Sequence, residues 1–512
     1  MKNFFKTVAM VTVFSICEKF LGFLYRVYLS RTIGTEGVGL YQVALSVFAF
    51  LLTITCSGTP ITVSRLMTKY KSENRPDKVR KVITAGILYT LIVAVILCLI
   101  FFLLGDNLHF IFADKRCSAI FYVVLPGLIF TSVYSVLRGV FWGNKDFLPY
   151  SVIELLEEIC MIIMGILLIE RATNSYSGAF RAGLAVTISY VFSFTLATAV
   201  FFIRKNKLVN PQSELKTLLK ASTPVSAMRT ANSLSVSLVS VILPIRLVAS
   251  GLSNGEALSL YGAAVGEAMP LLFIPSTLIG SFTLVLVPEI SEHFYQKKNL
   301  ALKNDIEKAL KFTTVLSACF IPLFLVCGKE IGLLIFNSPE CGRYLTVSAF
   351  LVLFIGLSGL TSSILDSIGK EKHVLAFCLI GGVLMLASAF LLPSVLGIYA
   401  LTVGSVFIYG LTTLLNVITI FKCCKNKPRY LRFLITSILI VIPTVILGLM
   451  LEKMLLPLLG TLITFLVVST IIVAFYGLLS IGFGLVELDF IKEKILSIFK
   501  RKNKQSKIKT CI

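Results

Sequence analysis

The sequence predicts an all-α polytopic membrane protein, and three observations carry that reading. The chain of 512 residues is 56% hydrophobic, only 14% of its residues are charged, and its mean hydropathy is +0.91. Globular domains average about 25% charged residues, so a soluble protein of this composition would lack a polar surface. The apolar residues come in continuous runs such as Leu91-Ile92-Val93-Ala94-Val95-Ile96-Leu97. Backbone in lipid must satisfy its own hydrogen bonds, as helices or as a closed barrel. Barrel strands alternate apolar and polar residues over roughly ten positions, and these runs do not. They extend for about 20 residues, which suits a helix crossing a core of roughly 30 Å.

Bounded by charge or by Gly and Pro, the apolar segments divide into about fourteen spans. Their limits are 4–30, 37–58, 82–104, 118–142, 149–169, 180–203, 220–249, 259–287, 307–327, 344–368, 373–392, 396–421, 431–451 and 457–484. Lys2 and Lys6 precede the first span as in a signal peptide. Glu18, Lys19 and Arg26 interrupt it and no small-residue cleavage site follows, so a retained span is expected. With the N-terminus in the cytoplasm, the inner segments hold roughly 35 of the 48 Lys and Arg, including Arg65 to Lys81, Arg204 to Lys220 and Lys297 to Lys311. The outer segments hold about 8, among them Arg31, Lys115, Arg171 and Lys453. This asymmetry places both termini in the cytoplasm of a multi-pass cell-membrane protein.

The same asymmetry accounts for the net charge of +22 without nucleic acid, because no basic stretch sits in a soluble module. The tail Lys500-Arg501-Lys502-Asn503-Lys504 is expected to meet anionic membrane lipid. Most of the 12 Cys, such as Cys17, Cys98, Cys160 and Cys319, stand singly in apolar runs as small hydrophobes. Three His without metal-type spacing give no metal site, and no cofactor is expected. No nucleophile–His pair, P-loop or large polar loop suggests an enzyme.

The chain repeats itself. Displaced by about 220 residues, Arg26 falls on Arg246, Glu36 on Glu256, Leu40 on Leu260, Tyr41 on Tyr261 and Ala44 on Ala264. A slightly larger shift pairs Thr59-Pro60 with Val287-Pro288 and Arg138 with Asp366. Six spans per copy keep both copies in one orientation, a parallel repeat about an axis along the membrane normal. The expected organisation is a six-helix lobe at 1–215, a second at 216–428, two additional transmembrane helices at 429–490 and a basic cytoplasmic tail at 491–512. Two such lobes around a central cavity are the architecture of alternating access.

Several ionisable residues fall inside the expected spans. A charge at the bilayer centre costs about 2.5–3.5 kcal/mol on the lenient insertion scale, so each must meet water, a partner or a membrane surface. Arg26, Arg229, Arg138 and Arg246 are candidate binders of an anionic head group, because guanidinium grips phosphate oxygens in pairs and stays charged. The alternative for each is snorkelling or pairing with a carboxylate. Glu154, Glu157 and Glu158 share one helical face by their spacing. Glu157, Glu267 and Asp366 are the candidate ion-coupling carboxylates, with a solvated helix end or an internal salt bridge as the alternative. Pro270 and Pro275 within one span predict a kink.

Four blocks resemble the stage V sporulation protein B family, in the polysaccharide-transport branch of the multidrug/oligosaccharidyl-lipid/polysaccharide (MOP) flippase superfamily. They are Arg26-Val27-Tyr28-Leu29-Ser30-Arg31-Thr32-Ile33-Gly34-Thr35-Glu36-Gly37-Val38-Gly39-Leu40-Tyr41-Gln42, Ser57 to Ser64, Leu137 to Asn144 continuing to Glu157, and Pro270 to Ser276 followed by Val287 to Ser291. The resemblance spans nearly the whole chain. It implies an inverted-V fold and alternating-access flipping of an undecaprenyl-pyrophosphate-linked peptidoglycan precursor or related lipid-linked polysaccharide for the spore cortex. Peptidoglycan synthesis enzymes are possible partners. A multidrug cation antiporter of the same superfamily, a membrane glycosyltransferase or polymerase, and a scaffold are the alternatives. By similarity to lipid II flippases, Arg26 and Arg229, then Arg138, would contact the pyrophosphate, and the last two spans would form a lipid groove. The chain departs from the family pattern at Glu154 and Glu158, where Gln is usual, and at Met161, where a base is usual.

Overall fold

The structure, a computed structural model, describes residues 2–105, 111–112, 114–205, 207–211, 214–424 and 430–485. The tail 491–512, with its Lys500–Lys504 run, lies outside the described residues. Among the described residues the elements are helices, with no strand. Contacts divide the chain into two compact units: Met1–Leu271 with Ile335–Tyr344 and Leu375–Ile408, and Leu272–Leu334 with Leu345–Val374 and Tyr409–Ile512.

The first unit opens with α1 (Lys2–Cys56), α2 (Thr59–Ser72), α3 (Pro76–Leu104), α4 (Lys115–Val124) and α5 (Gly127–Gly143). It continues with α6 (Phe147–Ile169), α7 (Ser175–Ile203), α8 (Glu214–Ala249) and α9 (Asn254–Tyr261), which runs on as a π-helical stretch, Gly262–Ala268. The helix α1 is broken at Gly34, where φ 72° and ψ 172° form a combination open to glycine alone. The helix kinks there without a loop and leaves two helical arms, 2–33 and 35–56.

Long helices need close contacts in lipid, because apolar burial no longer separates helix–helix from helix–lipid contact. Glycine supplies them. The segments 35–56 and α9, counterparts in the repeat, cross backbone to backbone. A Cβ on Gly39 would lie 2.0 Å from the Leu258 carbonyl oxygen, and one on Gly262 2.1 Å from that of Thr35. Thr35 and Ser259 share a hydroxyl hydrogen bond of 2.5 Å at the same crossing. A second crossing joins α5 to α2, where a Cβ on Gly139 would lie 2.5 Å from the Pro60 oxygen. Two of the sequence blocks, Ser57 to Ser64 and Leu137 to Asn144, therefore meet each other. Outward-facing Phe102 and Leu103 are 74% and 82% exposed, as lipid-facing side chains must be.

The second unit takes up most of α10 (Met269–Tyr295) and all of α11 (Asn299–Ile331), which packs along the helix Leu431–Gly482. Its core includes Ile290, Ile306, Leu310 and Ile364. Buried Thr314 and Tyr430 share a 2.6 Å hydroxyl hydrogen bond, and His293 Nδ1 stands 2.6 Å from Asp305 Oδ2. Gly460 breaks Leu431–Gly482 with φ 72° and ψ 170°, the geometry of Gly34 again.

Among the described residues, eight helices are long and apolar enough to cross a membrane, or ten if each of two bent pairs is one span. The glycine breaks divide two of these into two arms each. The helix α6 has the length and apolarity to cross, but it carries three charged residues, Glu154, Glu157 and Glu158. The chain is a multi-pass membrane protein, and a count of spans depends on how these breaks and charges are treated.

Candidate functional site

The first unit lines an open cavity of about 460 Å³, to which both arms of the broken α1 contribute. The first arm contributes Tyr25 and Arg26, and the second arm contributes Tyr41, Gln42 and Ser46. Glu158 enters from α6, Tyr190 from α7, and Ser233 and Ser237 from α8. Small residues set the walls. Gly22 leaves room for Glu158, whose Oε1 lies 2.9 Å from where a Cβ would stand, and Gly165 accommodates the Tyr25 hydroxyl at 2.1 Å.

Arg26 and Glu158 share this chamber without closing into an ion pair, and Arg26 makes no hydrogen bond to any described residue. Tyr41 is 8% and Ser237 6% exposed, and neither hydroxyl makes a hydrogen bond to another described residue. The chamber thus offers a guanidinium, a carboxylate, hydroxyls and aromatic faces to one ligand. Sequence reasoning left Tyr41, Gln42 and the serines out of the site. Their signal was present: Tyr41 is a repeat match, and Ser233 and Ser237 sit one helical turn apart on α8.

The other candidate arginines stand elsewhere in the same unit. Arg229 is exposed and donates through Nη1 to the Ser57 oxygen at 3.2 Å. Arg246 donates through Nε to the Phe390 oxygen at 2.8 Å, its guanidinium 4.6 Å from the Phe390 ring centroid. Arg138 pairs with Glu154 at 3.2 Å and lies 5.3 Å from the ring of Trp142. Glu157 faces α7 beside Ser193, its Oε2 without a partner. Glu267 is completely buried in the π-helical stretch, with Ser30 Oγ 2.6 Å from its Oε1. Asp366 belongs to the second unit and is exposed at the end of Leu351–Ser367.

The Arg138–Glu154 pair is mostly shielded, so losing one partner strands the other charge. Arg138→Met is expected to lower stability by about 1–3 kcal/mol, discounted from a fully buried pair. Because Trp142 is the single tryptophan, thermal unfolding followed by its emission reads both the lost stability and the removed cation. An unchanged midpoint would mean that solvent already screens the pair.

Residues 4–294 match the family described as Polysaccharide biosynthesis protein. The chain belongs to this family. Stage V sporulation protein B of Bacillus subtilis (strain 168) is 25% identical over 456 residues, covering 86% of this chain and 88% of that protein. Lipid II flippase MurJ of the same organism is 23% identical over 424 residues, covering 73% and 75%. Among solved structures, the lipid II flippase MurJ in an inward closed conformation superposes with a TM-score of 0.71 at 15% identity, over 93% of this chain and 98% of that one. An inward-facing multidrug resistance MATE family transporter of the MOP superfamily gives 0.65 at 14%, over 81% and 97%. The polysaccharide biosynthesis family member described here therefore has the fold of MOP superfamily transporters.

Proposed function

We propose that this chain is a flippase that carries a lipid-linked saccharide across the cytoplasmic membrane by alternating access. The observation that carries the reading is Arg26, an exposed guanidinium that lines the chamber and makes no hydrogen bond or ion pair to any described residue. Such a group is stable in lipid surroundings only against water or an anion, and a phosphate matches it with two parallel hydrogen bonds. The hydroxyls of Tyr41 and Ser237 suit the sugar that follows the phosphate.

The cargo we favour is an undecaprenyl-pyrophosphate-linked peptidoglycan precursor, used in spore cortex synthesis. Relatives named for stage V sporulation and for lipid II flipping support that choice. Both termini lie in the cytoplasm, fourteen spans cross the membrane, and the basic tail holds anionic lipid. Arg229 serves as a second contact for the pyrophosphate. Glu158 with Tyr25, Tyr41 and Tyr190 favours a second reading, a multidrug cation antiporter, because acid and aromatic faces together attract organic cations.

Reconstitution into liposomes separates the two. The flippase reading expects wild type to move a fluorescently labelled lipid-linked disaccharide and to leave an organic cation gradient unchanged. Cation pumping without lipid translocation would replace it with the antiporter.

A further inference from the structure

We propose that Glu267 is a proton-binding site that holds its proton in the folded protein and donates it to Ser30.

The case is one of counting hydrogens. Ser30 Oγ lies 2.6 Å from Glu267 Oε1 and 3.1 Å from the backbone oxygen of Phe336. A serine hydroxyl has one hydrogen, and a backbone carbonyl can only accept. Were Glu267 ionised, that single hydrogen would face two acceptors and one contact would be oxygen against oxygen. With a proton on Oε1, both contacts are satisfied: Glu267 donates to Ser30 Oγ, and Ser30 donates to Phe336.

The surroundings agree. Glu267 is 0% exposed, Ser30 4%, and Glu267 Oε2 has no hydrogen-bond partner. A neutral carbonyl tolerates that far better than half of a carboxylate charge would. Ser338 and Cys341 also offer hydrogen bonds to the carboxyl, whose charged neighbour is Glu340, of like sign. Arg31, next to Ser30, directs its Nε to the Ile335 oxygen at 2.7 Å. The site lies in a π-helical stretch, a distortion that recurs where a helix carries function.

A proton held this way ties α1 to the 335–344 segment through Ser30. Its use as the coupling ion rests on the transport reading above; the protonation itself does not. Infrared spectroscopy of the full chain in lipid nanodiscs reads it directly. The wild-type minus Glu267→Gln difference spectrum is expected to show a protonated-carboxyl C=O band at neutral pH. Glutamine keeps the shape and can still donate to Ser30, so the variant is expected to fold. In Ser30→Ala the band is expected to persist and to shift to higher frequency, because its hydrogen-bond acceptor is gone. Loss of carboxylate bands alone in Glu267→Gln would overturn the proposal, as would an unshifted band in Ser30→Ala. Either result leaves the liposome assay unaffected, so the two readings fail separately.

Discussion

Gly39→Ala is expected to abolish accumulation of folded protein. The added methyl would lie 2.0 Å from the Leu258 oxygen, 2.8 Å from its carbon and 3.3 Å from the Gly262 nitrogen. All three are backbone atoms of another helix, so no side chain can turn aside. Gly262→Ala meets the same crossing from the other side, 2.6 Å from the Gly39 nitrogen. Two helices must separate by more than an ångström, and the Thr35–Ser259 hydrogen bond goes with them. The expected cost exceeds about 4 kcal/mol, in the range reserved for severe core disruption. Gly477→Ala is the control. Nothing lies within 4 Å of its Cβ position, and alanine favours a helix by up to about 1 kcal/mol. Monodispersity and melting temperature in detergent check both. A Gly39→Ala protein that melts like wild type would refute the close crossing.

Arg26→Ala is expected to lower lipid-linked saccharide transport by roughly 10–100-fold. The figure follows from about 1.5–3 kcal/mol for hydrogen bonds to a charged group, at 1.4 kcal/mol per tenfold. Removal also leaves Glu158 as the chamber's charge and turns its potential negative, against an anionic head group. Arg26→Lys is expected to retain part of the rate, since it keeps the charge and loses the paired geometry. Arg246→Ala is expected to change transport little, because its guanidinium is occupied by the Phe390 carbonyl and ring. The liposome translocation assay reads all three, and equal loss in Arg26→Ala and Arg246→Ala would remove the distinction between them.

Much of the fold was legible in the sequence for a simple reason. Lipid leaves an apolar chain little choice but helices, and run length marks where they can cross. The expected repeat rests on pairs such as Arg26/Arg246 and Tyr41/Tyr261, which stand out because charged residues are sparse in this chain. What the pairing could not convey is that the two segments touch, with Gly39 set against Leu258 and Gly262. Glycine has no side chain by which a pattern could announce a partner.

The site was harder to read. Charge in a span marks a residue as needing a partner, but it does not say which. Arg26 meets the chamber, whereas Arg138 meets Glu154 and Arg246 meets a carbonyl, and nothing in their spacing separates these outcomes. Glu158 stood out only as one of three glutamates on a face. The absent side chain at Gly22 leaves its carboxylate space beside the chamber. Glu267 looked like a lone acid, and the distance to Ser30 gives it a specific hydrogen-bonding role.

Binding of an undecaprenyl-pyrophosphate-linked disaccharide, measured by native mass spectrometry on purified protein, tests the chamber around Arg26 most directly. Wild type and Arg246→Ala are expected to retain the lipid, and Arg26→Ala to bind it roughly 10–100-fold more weakly. Unchanged affinity in Arg26→Ala would contradict the assignment of that chamber to the phosphorylated head group.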